Sequence, residues 1–177
     1  SEADIERVVG PTIVRPWEAR IDSAKTKSEL IALRKELRQF RVLDPACGSG
    51  NFLYVAFREM SRLDLRIMLR LKAMVSASEF HKQAKLISGI SPLQFYGLDN
   101  DPFGVELAKV TLMLAKKLAH DEAVAQLFDS GGEYQRGVSE LGFDGENALP
   151  LDNLDSNICV GDAMFDPWPE VEAIVGN

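Results

Sequence analysis

The sequence predicts an α/β fold: an open, mostly parallel sheet with helices on its faces. Three observations carry the prediction. Apolar segments follow the order helix, strand, helix, strand, helix, strand, strand, the pattern left when crossover helices join parallel strands. The first strand runs straight into a glycine turn, Asp44-Pro45-Ala46-Cys47-Gly48-Ser49-Gly50, that opens an amphipathic helix. The second strand closes on an acid, Asp99.

Taken in order, Lys25 to Phe40 carries Leu30, Leu33, Leu37 and Phe40 at helical spacing, which places one stripe on a core. A strand, Arg41 to Asp44, follows directly. After the turn, Phe52, Ala56, Met60, Leu63 and Ile67 repeat the helical period to about Leu71. Residues 72–92 read as mixed, with more helix ending in the loop SGISP. LQFYGLDNDP is a second apolar run stopped by acids and a proline, and FGVELAKVTLMLAKKLAH is a helix with Val105, Ala108, Leu112 and Ala115 on one side. Glycine, Asp and Asn dominate from Asp129 to Asn157, which predicts an irregular segment. NICVGDAM and VEAIVGN then supply two short buried strands.

Composition narrows the function classes. With 46% hydrophobic and 27% charged residues over 177 positions, the chain fits one soluble globular domain. No apolar run approaches the ~18 to 20 residues of a membrane span, and SEADIERVVG has no leader character, so no membrane partner is expected. Cys47 and Cys159 show neither zinc nor disulfide spacing, which favours a reducing, cytoplasmic setting. His81 and His120 stand apart on predicted helices, and no metal is indicated. A net charge of −7, from 27 acidic and 20 basic residues, argues against this segment as the main grip on nucleic acid, which phosphate neutralisation by Lys and Arg would drive.

The glycine turn lies at the carboxyl end of a strand, where open α/β sheets bind ligands. Gly48 and Gly50 allow a ligand to approach the main chain closely, although a tight strand-to-helix connection needs the same residues. Asp99 is placed to accept hydrogen bonds from both ribose hydroxyls of a nucleoside ligand. Asp101 and Pro102 suit the cap of the following helix. A dinucleotide fingerprint is disfavoured: the turn lacks a third glycine, and the acid falls well beyond the roughly 20 residues such a fingerprint spans.

These residues resemble the amino-group DNA methyltransferases that use S-adenosylmethionine. DPACGSGNF is similar to their first motif in its adenine-N6 form, FYGLDNDP to the second, VGDAMFDPW to the third, and AIVGN to the beginning of the catalytic NPPY motif. SEADIERVVGPTIV resembles the tail of the motif that precedes the first strand. The segment between the first two motifs, with LRLK and QFYG, resembles MmeI-like single-chain restriction-modification enzymes. The resemblance implies a Rossmann-like class I methyltransferase fold, in part: the third strand beside the second, the second beside the first, the first beside the fourth, with further strands beyond. Residues 1–40 would form an N-terminal helical segment and 41–177 the cofactor-binding half, with a helical insert over about 61–94.

Carried over by position, the resemblance implies that Asp44, Pro45 and the backbone of Ala46, Cys47, Gly48, Ser49 and Gly50 hold the methionine part of S-adenosylmethionine. Asp99 would bind the ribose hydroxyls and Asn100 would flank the adenine, where many relatives place an apolar residue. Asp162 would accept from the adenine amine, with Ala163 or Met164 beside the ring; Asp162 also suits a plain turn. Asn177 would be the catalytic acceptor that stiffens the target amine toward tetrahedral geometry. Only that residue of NPPY is present, so the isolated chain is expected to be inactive. DNA would be bound through other parts of the parent protein, with the adenine flipped from the stack. Cys47 reads as a small packing residue, and Phe52 as helix-to-sheet packing. Methylation of another amine or amide, such as protein glutamine, and a noncatalytic cofactor-binding module are the alternatives. The apolar fourth strand, Glu172 to Gly176, is expected to leave an edge through which the chain self-associates.

Overall fold

The structure is a computed structural model and describes residues 2–76, 78, 80, 89–127 and 154–177. The chain begins in helix α1 (Glu2–Val9), widens into a π-helical segment (Gly10–Val14) and continues as α2 (Arg15–Ser23). Pro11 has no N–H to give and would crowd the preceding turn of an α-helix. The wider π turn absorbs it without breaking the rod. Val9, Ile13, Trp17 and Ile21, one every fourth residue, form its buried stripe.

Helix α3 (Lys27–Leu37) starts two residues later than the spacing predicts and stops before Phe40. Its start is set by a capping box: Glu29 N–H donates to Thr26 Oγ1 at 3.2 Å, and Thr26 N–H donates to Glu29 Oε2 at 3.0 Å. Leu30, Leu33 and Leu37 face the core as expected. Phe40, just past the helix, sets its ring edge to face against Trp17 at 5.6 Å.

Strand β1 (Val42–Asp44) is buried throughout. It feeds α4 (Asn51–Met74), which buries Ala56, Met60, Leu63 and Ile67 and runs past the expected end near Leu71. A single 3-10 turn, Pro92–Gln94, precedes β2 (Phe95–Asp99). There Gln94 Nε2 donates to the carbonyls of Leu37 and Phe40 at 3.0 and 2.8 Å, tying the end of α3 to the sheet. Helix α5 (Pro102–Leu127) buries Val105, Ala108, Leu112 and Ala115 and extends beyond His120. Strands β3 (Ile158–Val160) and β4 (Ala173–Ile174) are shorter than the apolar runs that contain them. Much of the 72–92 stretch and all of 129–153 lie outside the described residues.

The four strands are parallel and ordered β3-β2-β1-β4, as the resemblance implies. The register pairs Val42 with both Phe95 and Ala173, and Gly97 with Ile158. Because side chains alternate along a strand, these residues share the face that packs on the helices, where Phe57 meets Phe95 at 5.2 Å. Leu43, Tyr96, Leu98, Cys159 and Ile174 share the opposite face, on which Ile174 is 49% exposed. One core joins α1 and α2 to the sheet and its crossover helices without a break.

Candidate functional site

Strand order lines up the candidate residues along one edge. At the carboxyl ends of β3, β2, β1 and β4 stand, in that order, Asp162, Asp99, Asp44 with the glycine turn, and Gly176 followed by Asn177.

The turn is fixed at three points before any ligand arrives. Ala46 N–H donates to Asp44 Oδ1 at 3.1 Å, Cys47 N–H to the Leu98 carbonyl at 2.9 Å, and Gly48 N–H to Asp99 Oδ2 at 2.7 Å. Gly48 and Gly50 have φ of +49° and +82°, a region that L side chains rarely adopt. Gly50 also lies against α5, where a Cβ would fall 2.9 Å from the Ala108 Cα. Gly50 is the N-cap of α4 and has no side chain to accept from the first-turn N–H groups. The positive end of that helix therefore opens toward the turn.

Asp99 is oriented from its own side. Its Oδ1 accepts from Asp101 N–H at 2.9 Å while Oδ2 holds Gly48, and a carboxylate has about four lone-pair sites, so capacity remains on both oxygens. Asp101 caps α5 as the sequence suggests: its Oδ1 accepts from Phe103 N–H at 3.1 Å. Asn100 stands exposed between them.

Asp44 is the unusual member. It is 1% exposed, and Oδ2 has no hydrogen-bond partner. Burial, with the nearby Asp99 charge adding to it, pushes its carboxyl up to about 6 despite the Ala46 N–H. Cys47 is buried beside it, and burial followed by the Asp44 and Asp99 charges pushes its thiol up to about 12, so it is not a thiolate nucleophile at neutral pH. Its Sγ occupies the space where a Cβ at Gly97 would fall, at 2.9 Å. Phe52 packs partly buried against the core.

On the far side, Gly161 N–H donates to the Asp99 carbonyl at 2.9 Å, which brings the β3 exit beside the β2 exit. Asp162 then shapes its own turn: its N–H donates to Asp166 Oδ2 at 2.7 Å, and its Oδ1 accepts from Met164 N–H at 2.8 Å. The Trp168 indole N–H donates to the Ala163 carbonyl at 2.9 Å. Met164 is 86% exposed. Sequence reasoning passed over Asp166, Gly97 and Gly176. A glycine inside an apolar strand is the signal that could have found Gly97; for Asp166 and Gly176 no local pattern marks the contact.

A parallel sheet with flanking helices, its glycine turn under a helix N-terminus and its acids gathered at the carboxyl ends of the strands, defines a partial Rossmann-like α/β unit. The family is narrower: the chain belongs to the MmeI DNA-methyltransferase domain family, whose model matches residues 20–176. It is 26% identical over 123 residues to DNA methyltransferase A of Bacillus subtilis (strain 168), covering 69% of this chain and 13% of that protein. It is 40% identical over 92 residues, 52% of this chain and 7% of the other, to a Methanocaldococcus jannaschii protein whose name pairs a type II restriction enzyme with a methyltransferase. The solved Type IIL restriction-modification enzyme MmeI in complex with DNA superposes with a TM-score of 0.60 at 25% identity, over 71% of this chain and 17% of that one. The chain thus spans less than a fifth of the length of each of these proteins.

Proposed function

We propose that this chain is the cofactor-binding half of a site-specific DNA methyltransferase that moves a methyl group from S-adenosylmethionine to the N6 amine of adenine within a cytoplasmic restriction-modification system. The observation that carries the reading is the Asp44 carboxylate, buried with one oxygen unpartnered beside a fixed glycine turn. A buried carboxylate without a partner is costly, and the ammonium of a methionine moiety is a cation suited to it. The residues fit the group. S-adenosylmethionine supplies an electrophilic methyl on a sulfonium.

The chain's own residues divide the remaining work. Asp44 takes the ammonium, and the α4 N-terminus favours the carboxylate of the same moiety. Asp99, oriented by the Asp101 N–H, accepts from the ribose hydroxyls, and Asp162 with Ala163 borders the adenine. Asn177, at the exit of β4, accepts a hydrogen bond from the target amine and so localises its lone pair on nitrogen. Residues 1–40 brace this half from outside the sheet, and 41–177 form it, with the insert over about 61–94. DNA contacts come from other parts of a parent protein, which accords with the chain's net charge of −7.

Calorimetric titration with S-adenosylmethionine and its demethylated product tests the reading. Asp99→Ala is expected to weaken binding about tenfold or more, through lost hydrogen bonds to a charged acceptor. Unchanged affinity would remove Asp99 from the ribose site.

A further inference from the structure

Gly176 has φ of +135°, a backbone angle that L side chains rarely adopt. A Cβ built on it would lie 2.7 Å from Asp44 Oδ1, 3.4 Å from Asp44 Cγ and 3.7 Å from Pro45 Cδ. Real Cβ atoms do not approach an oxygen so closely, so any side chain at 176 must displace the carboxylate. That carboxylate has little room to retreat. It is 1% exposed, and Oδ1 is already engaged with Ala46 N–H at 3.1 Å. The β4 exit is itself held in place: Val175 N–H donates to the Leu43 carbonyl at 2.9 Å. The Arg41 guanidinium and backbone N–H both reach Glu172 at the other end of the pair.

We propose that Gly176 is a positioning residue for the cofactor site, its bare Cα setting where the Asp44 carboxylate sits. The inference rests on the reading of Asp44 as the acceptor for the cofactor's ammonium. It adds that this acceptor is placed from the fourth strand, immediately before Asn177, and not by the glycine turn alone. A side chain at 176 drives Oδ1 off Ala46 N–H, so the turn loses one of its three fixed points and the ammonium loses its partner together. The cofactor end and the segment carrying Asn177 then share one contact, and shifting either moves the other.

A double-mutant cycle of Gly176→Ala and Asp44→Ala on the 177-residue chain tests this, with S-adenosylhomocysteine as the calorimetric probe and thermal melting as the second readout. Each single change is expected to weaken binding about tenfold or more. The double variant should bind within about twofold of Asp44→Ala alone, because no carboxylate is left to displace. In melting, the loss caused by Gly176→Ala should shrink when Asp44 is already Ala. The backbone strain of Ala at 176 is common to both backgrounds and cancels in the cycle; should Gly176→Ala fail to fold, recovery of a cooperative transition in the double variant supports the contact, and a double variant that stays unfolded even in a stabilising osmolyte, in which Asp44→Ala alone folds, overturns it. Additive losses in both readouts would overturn the proposal and leave the reading of Asp44 standing. Binding unaffected by Asp44→Ala alone would instead remove that reading, and the role of Gly176 at the cofactor with it.

Discussion

Replacing Asp44 by Asn should make the chain more stable at alkaline pH and, on the proposed function, a poorer binder of its cofactor. In the folded chain the Asp44 carboxyl is pushed up to about 6 from an ordinary 3.8. Its folded value lies above its unfolded one, so between those two pH values the folded state holds the extra proton. Stability from this group is therefore fully present below the unfolded value and is lost as pH rises through about 6. A shift of about two units corresponds to about 3 kcal/mol, and with the residue 1% exposed, water screens little of it. Asn keeps an oxygen for Ala46 N–H and cannot ionise. Its amide nitrogen takes the place of the unpartnered Oδ2, which costs about 1 kcal/mol. The net expectation at pH 8 is a gain of roughly 1 to 2 kcal/mol, a rise of several degrees in Tm for a chain of this size. The fall of wild-type stability between pH 4 and about 6 should flatten in the variant. Cofactor binding should move the other way, about tenfold weaker or more at pH 8, since the amide offers no charge to an ammonium. In the wild type, affinity should decline as pH drops below about 6. Thermal melts across that pH range, with calorimetry at its ends, are the assay. A variant that melts lower than wild type at pH 8 while keeping the wild-type pH profile would refute the argument.

Two further expectations concern the frame around the site. Arg34 and Asp64 form a buried two-pronged pair, Nε to Oδ1 at 2.6 Å and Nη2 to Oδ2 at 3.0 Å, which clamps α3 to α4. Asp64→Ala strands the buried guanidinium and should cost about 3 to 5 kcal/mol by chemical denaturation, whereas replacing both residues by apolar ones of similar volume should cost far less. A small loss in the single variant would show that water reaches the pair. The second concerns self-association. Strand β4 is an edge among the described residues, and Ile174 lies on the more open sheet face, so sedimentation should show the isolated chain self-associating. A monodisperse monomer with a high, cooperative melting transition would count against that use of the edge.

Much of the fold was written locally. The stripes of α3, α4 and α5 follow from residues three and four apart, the parallel sheet from the alternation of elements, and the division of labour between Asp99 and Asp101 from their place at a strand end and a helix start. Each of these depends on neighbours in the chain, which is why sequence reading reaches them; of the two acids it is the Asp101 cap that the structure displays. The π turn at Gly10–Val14 escaped it because Gly10-Pro11 ordinarily marks a break, and only packing of Val9, Ile13, Trp17 and Ile21 on the common core makes continuing the rod worthwhile. The resemblance supplied the strand order, and that order puts β4 beside β1. It said nothing of what the pairing does to Asp44. Whether an acid at a strand end is solvated or buried depends on what the neighbouring strands bring over it. Here Gly176, far away in sequence, arrives against Oδ1, while Oδ2 is left buried without a partner. The sequence by itself determined that Asp44, Asp99 and Asp162 stand at the exits of their strands. The tertiary structure decided which of them is held at an electrostatic cost, because desolvation is a property of the surroundings and not of the residue.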